Sequence, residues 1–148
     1  MVPLSGDGKP YPFLATEFDE KGASFSPDGK WVSYVSNESG RDELYVVPFP
    51  GPGGKWQIST GGAQGGGFFK GGQEILYGTP ENDVVAVEIK SGPSGLEVSP
   101  AKTLFKVPPV TALAITPNGE RFLLAALPQG TGATRVALVT SWTVGLEK

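Results

Sequence analysis

The stretch that decides the fold is "FSPDGKWVSYVS", residues 25–36. It returns as "FFKGGQEILYGT" at 68–79 and as "ITPNGERFLLAA" at 115–126. Each copy runs from an apolar residue through a tight turn into a strand-like segment. Pro27 presets φ for the first turn position, Asp28 can bond the backbone ahead, and Gly29 accepts positive φ. Pro117, Asn118 and Gly119 repeat that chemistry, while the middle copy keeps only Gly71 and Gly72.

The turn glycines Gly29, Gly72 and Gly119 are spaced by 43 and 47 residues. A repeat of about 40–50 residues is the size of a four-stranded propeller blade. Helical repeats would need apolar residues at i, i+3 and i+4 over ten or more positions, and Pro or Gly interrupts nearly every such window. Strands are expected at 23–26, 31–35, 43–47 and 55–59 in the first unit. The second unit places them at 74–77, 83–89 and 102–106, and the third at 121–127 and 134–140. "ELYVV" and "DVVAV" are apolar on both alternating faces, as sheets covered on both sides require. "KWQIS" alternates, which suits the exposed rim of a blade.

Composition narrows the function. The chain of 148 residues has a net charge of −3, no Cys and no His. No polybasic patch suggests nucleic acid. Without Cys there are no disulfides or thiolate metal sites, and the absence selects no compartment. Without His the usual triads and most zinc chemistry fall away. No apolar run approaches the ~20 residues of a membrane helix. The start "MVPLSGDGKP" lacks the basic-then-apolar order of a signal peptide. Gly and Pro make up about a quarter of the chain, in keeping with many short strands joined by turns.

At this point the residues resemble a known family. "FSPDGKWVSYVSNESGRDELYVVPFPGPGGKWQIS" looks like the repeat of TolB-like, WD-repeat-like bacterial propellers. "PFPGPGGKWQIST" and the ending "VTSWTVGLEK" resemble the propeller that follows the kinase domain in many bacterial serine/threonine kinases. The likeness is weak in the middle unit, where Lys70 and Gly71 replace the Pro-Asp pair. No glycine-rich phosphate loop, HRD or DFG is present, so the chain itself is not a kinase. The resemblance implies a non-catalytic interaction or sensing module attached to a bacterial kinase. In many such kinases a membrane helix puts the propeller outside the cytoplasm.

The expected architecture is all-β: a propeller of four-stranded antiparallel blades, about three per chain, at 19–59, 61–106 and 110–142. Known propellers use about 4 to 8 blades. Residues 1–16 read as outer strands of a neighbouring blade. Two chains placed head to tail would then make six blades, with residues 11–15 pairing with 134–140 of the other copy. Tyr11, Phe13 and Leu14 would meet Arg135, Val136 and Leu138 across that junction. The alternative is a piece of a longer propeller, cut naturally or made to study how blades assemble.

Several residues are candidates for binding. Glu17, Asp19, Glu20 and Lys21 lie in a connection expected at one mouth of the channel, where they could contact a cation or basic peptide or form a solvated loop. Gln64, in the glycine-rich "TGGAQGGG", lies in the equivalent connection. Arg41 could bind a carboxylate or phosphate, or pair with Glu38, Asp42 or Glu43. Asp28 and Asn118 fit turn chemistry better than metal binding, since no calcium-loop spacing surrounds them. Trp31, Trp56, Tyr34 and Tyr77 could form a sugar platform or pack between blades. No cofactor, metal or catalytic residue is expected, and a protein or peptide partner is. The competing enzyme reading is a lyase or glycosidase using channel carboxylates.

Overall fold

The computed structural model describes residues 1, 8–51, 53–92, 95–108, 110–126 and 135–140, with backbone only for 110–113, 125–126 and 135–140. It is all-β, with three antiparallel sheets. The first contains β1 (Glu20–Phe25), β2 (Trp31–Ser36), β3 (Glu43–Pro48) and β4 (Trp56–Gln57), in that order. The second runs β5 (Gly65–Phe69), β6 (Glu74–Gly78) and β7 (Asp83–Gly92), with β8 (Gly95–Val98) and β9 (Lys102–Lys106) both paired to β7. The third runs β10 (Val110–Ile115), β11 (Arg121–Ala126) and β12 (Arg135–Thr140). This is a partial propeller with the inner strands β1, β5 and β10 at one edge of each sheet. No helix among the described residues is long and apolar enough to cross a membrane.

The repeated turn explains the repeated sequence. Gly29 N–H donates to the Ser26 carbonyl at 2.9 Å, and Gly29 sits at φ +70°. The Ser26 hydroxyl donates to Asp28 Oδ1 at 2.6 Å and accepts from Trp31 N–H at 2.9 Å. Asp28 Oδ1 also accepts Lys30 N–H at 3.1 Å. The third sheet repeats the pattern. Thr116 donates to Asn118 Oδ1 at 2.6 Å and accepts Arg121 N–H at 3.0 Å, and Glu120 N–H reaches Asn118 Oδ1 at 3.2 Å. The Ser26 hydroxyl and the Lys30 N–H hold the Asp28 carboxyl below the usual carboxylate range. Asp28 and Asn118 thus spend their side-chain oxygens on the turn.

The strands pack through both faces. On β6, Ile75 and Tyr77 join Val35, Leu44 and Val46 of the first sheet, whereas Leu76 joins Phe122 and Leu124 of the third. On β7, Val85, Val87 and Ile89 go one way, and Val84 and Ala86 go the other. The period-2 alternation of a strand therefore puts the middle sheet between two apolar layers. Each such side chain, fully buried, contributes about 1.5–3 kcal/mol.

Two of the expected strands need correction. Residues 11–15, with Tyr11, Phe13 and Leu14, are expected to pair with a second copy, and they form no strand within the single chain. Tyr11 exchanges backbone bonds with Met1 instead, at 2.7 and 2.9 Å. A strand needs a continuous ladder, and this one exchange does not make one. The fourth strand expected at 55–59 shrinks to Trp56–Gln57, because the Ser59 hydroxyl takes the Leu44 N–H at 2.9 Å in place of a backbone carbonyl. The strand expected to end at 89 runs to Gly92 and folds back as β8. The reason is a long-range contact: Leu96 is buried in the cluster that Trp31 and Trp56 pack against.

A sheet covered on both sides makes neighbouring residues equally sensitive. Ile75→Ala and Leu76→Ala should each lower unfolding free energy by about 2–5 kcal/mol in urea titrations. Loss from only one of the two would mean that one face of this sheet is open.

Candidate functional site

Three inner strands meet around a cavity of about 580 Å³. Ser24 of β1, Gly65, Gly66 and Gly67 of β5, and Ile115 of β10 contribute to its wall. Thr79, Asn82 and Asp83 close it from the β6–β7 turn, and Gln64 and Val107 from the connections between sheets. The turn places its residues by its own bonds. Asn82 adopts φ +66°, its N–H donates to the Thr79 carbonyl at 3.0 Å, and Asp83 N–H donates to Thr79 Oγ1 at 3.1 Å.

The glycines along this wall differ in kind. A Cβ on Gly66 would lie 2.7 Å from Tyr77 Cβ and 2.8 Å from the Leu76 carbonyl, so packing demands glycine there. Gly65, at φ +158°, is constrained by its backbone. Gly67 and Gly78 are constrained by neither. Gly78 would meet nothing within 4 Å, and Gly67 only Ser24 at ordinary contact distance. Both line the cavity.

Of the charged and amide residues that the sequence singles out for binding, Gln64 borders this cavity and the others lie elsewhere. Lys21 Nζ meets Asp42 Oδ2 at 2.6 Å, with both side chains about half exposed, a pair worth about 0–1 kcal/mol. Asp19 N–H donates to Asn37 Oδ1 at 3.0 Å, and Glu20 accepts from the Thr16 hydroxyl. Glu17 is exposed in the same connection. Glu20 and Lys21 border a different cavity of about 500 Å³, on the open face of the first sheet, with Phe13, Leu14, Val32 and Tyr34. Of Arg135, Val136 and Leu138, the structure places the backbone: they stand opposite Ala126, Ala125 and Leu123 on β11.

Arg41 turns to Glu43, Nε to Oε1 at 3.7 Å. Glu43 is no surface partner, since it is 1% exposed. Its carboxylate accepts the Ser59 hydroxyl and the Gly62 N–H, the latter at 3.0 Å to each oxygen. A buried charge is tolerable when its lone pairs are satisfied this way. The network fixes the connection from the first sheet to the second, where Ala63 N–H also reaches the Asp42 carbonyl at 2.8 Å.

The aromatic candidates pack against protein. Trp31 and Trp56 meet edge to face at 5.4 Å, and Tyr34 stacks on Tyr45 at 5.8 Å. Burial pushes the Tyr34 phenol up to about 12, with Glu38, Glu20 and Tyr45 adding to it. Tyr77, which borders the cavity, is raised as well, first by burial and then by the charge of Glu43. No group of three or more metal-ligating side chains occurs among the described residues.

No family model and no curated protein matches this chain. Solved structures do. The β-propeller domain of Cps50 (Swd1) from Myceliophteria thermophila aligns over 84% of this chain and 38% of its own, with a TM-score of 0.54 at 10% identity. TolB from Acinetobacter baumannii aligns over 91% of this chain and 44% of its own, with a TM-score of 0.45 at 17% identity. The chain therefore spans about two-fifths of the length of these structures. The fold is that of a β-propeller, present here in part.

Two outcomes follow from this geometry. Gly78→Ala should raise stability by about 0.4–1 kcal/mol, by restricting the unfolded chain, whereas Gly66→Ala should lower it. Paired thermal melts would check the contrast, and equal effects would contradict it. For Tyr34, the folded pKa lies above the unfolded value of 10.0, so its contribution to stability is intact below pH 10 and is lost as the pH rises toward 12. Phenolate absorbance should show a late step near pH 12 that disappears in Tyr34→Phe.

Proposed function

We infer that the chain is a non-catalytic interaction module that works as half of a six-bladed ring closed by a second copy. The observation that carries this reading is the imbalance of covered faces. The middle sheet is buried on both sides. The outer sheets each keep one open face, with Phe25 50% exposed on one and Leu123 42% exposed on the other. Alternation along β11 supports this, since Phe122 and Leu124 point to the middle sheet and Leu123 away from it. Two copies head to tail would cover both faces. Phe13 and Leu14 border the open face of the first sheet, which supports pairing of residues 11–15 with β12 of the second copy. In this reading the blades are 19–59, 61–106 and 110–142, and residues 1–16 complete the neighbouring blade.

The likeness of "PFPGPGGKWQIST" and "VTSWTVGLEK" to kinase-linked propellers supports attachment to a bacterial serine/threonine kinase. The mouth of the ring is the binding surface. The glycosidase reading needs two carboxylates at fixed separation. Among the described residues around the 580 Å³ cavity, Asp83 is the only acid.

Native mass spectrometry should give twice the 15.4 kDa chain mass. Leu123→Arg should return it to one chain without unfolding it. A single-chain mass for the unaltered protein at micromolar concentration overturns the ring.

A further inference from the structure

We propose that the cavity between β5 and the β6–β7 turn is a peptide site, taking an extended segment in which a small aliphatic side chain neighbours a lysine or arginine. This rests on the interaction-module reading and names its ligand.

The wall supplies three kinds of contact. First, β5 is an edge strand bonded to β6 on one side, so its other side offers main-chain groups to an added strand. Residues 65–67 are all glycine, so they carry no side chains of their own to screen that edge. Second, Phe69, Val84, Val107 and Ile115 give an apolar floor. Third, the polar groups are Gln64, Asn82 and Asp83. The two amides have no hydrogen-bond partner among the described residues, and each can hold a peptide group through both its N–H and C=O.

Gly67 and Gly78 make the case specific. Glycine in a strand interior weakens it, as at Gly67 within β5; Gly78 ends β6, and neither position needs glycine for backbone or packing. Here the missing side chains leave open space inside the cavity. A volume of about 580 Å³ lies within the range of about 300–1,000 Å³ typical of ligand sites.

Charge selects the class of ligand. Asp83 is the only charged residue among the described residues around the cavity. Its contact with Lys106 is long, 3.8 Å, and the Lys106 amine is well exposed, so a second cation can approach the carboxylate. With no Lys or Arg among the described residues of the wall, a phosphate or nucleic acid finds no counter-charge there. A sugar would need an open aromatic face, and Phe69 packs into the core while Tyr77 is buried.

The test uses an array of capped hexapeptides, each with one aliphatic residue beside Lys, Arg, Glu, Asp or Gln, probed with the labelled chain. Peptides pairing the aliphatic residue with Lys or Arg should bind. Gly78→Val, which fills the cavity, should weaken them at least tenfold. Asp83→Asn should erase the preference for Lys and Arg over Gln. Gly61→Ala, outside the cavity and also in open space, should change nothing. Melting curves confirm folding of each variant, and Asp83→Asn keeps the test decisive if Gly78→Val does not fold. Binding that survives both cavity variants overturns this site but leaves the interaction module standing. Absence of any binder overturns both.

Discussion

A strand cannot hide side chains that point both ways unless something lies on each side of it. This constraint organises the molecule. Ile75 and Leu76 are adjacent, fully buried and in different cores. The sheet carrying them is stable only between two others, and those two inherit the problem at their outer faces. At the first sheet, the chain's own N-terminal segment lies over part of the face: Phe13 meets Phe49 at 5.2 Å, and Phe49 meets Phe25 at 5.1 Å. That cover is partial, because Phe25 remains half exposed. Edge-to-face pairs of this kind add about 0.5–1.5 kcal/mol beyond burial, enough to seat a segment but small beside a full blade interface.

The repeated dozen residues and the apolar alternation were legible because their causes are local. A serine or threonine, a proline, an aspartate or asparagine and a glycine close the same hydrogen-bonded turn wherever they occur. The strands after them follow from β-branched runs. What the sequence hid depends on contacts far along the chain. The stretch after Ile89 looks like a polar loop. It is a hairpin because Leu96 finds the Trp31–Trp56 pair of the preceding sheet, and Trp31 Nε1 donates to Ser91 Oγ at 3.1 Å. Gly95 fits only as glycine, since a Cβ would lie 2.4 Å from Trp56.

The candidate site was legible at Gln64 and little beyond. A glycine-rich segment reads the same whether glycine is imposed by backbone, by packing or by neither. Gly65, Gly66 and Gly67 are consecutive, yet each has a different account, and only the neighbouring atoms separate them. Thr79, Asn82 and Asp83 escaped notice because their turn sits a dozen or more residues from Gly65, Gly66 and Gly67.

Charge density was a poor guide for a physical reason. Residues 37–43 hold the most charged loop, but its charges are already paired, two of them with lysines from outside the loop. Lys55 meets Glu38 at 2.5 Å, Lys21 meets Asp42, and Arg41 meets a Glu43 that is already committed to Ser59 and Gly62. A carboxylate that closes a network cannot release its partners to a ligand without being left buried and unpaired, a loss of about 3–5 kcal/mol. Groups able to bind something new are those whose present contacts are weak or missing. By that criterion the quiet wall of glycines, with two amides unengaged among the described residues and one loosely held carboxylate, is a better receptor than the charged loop beside it.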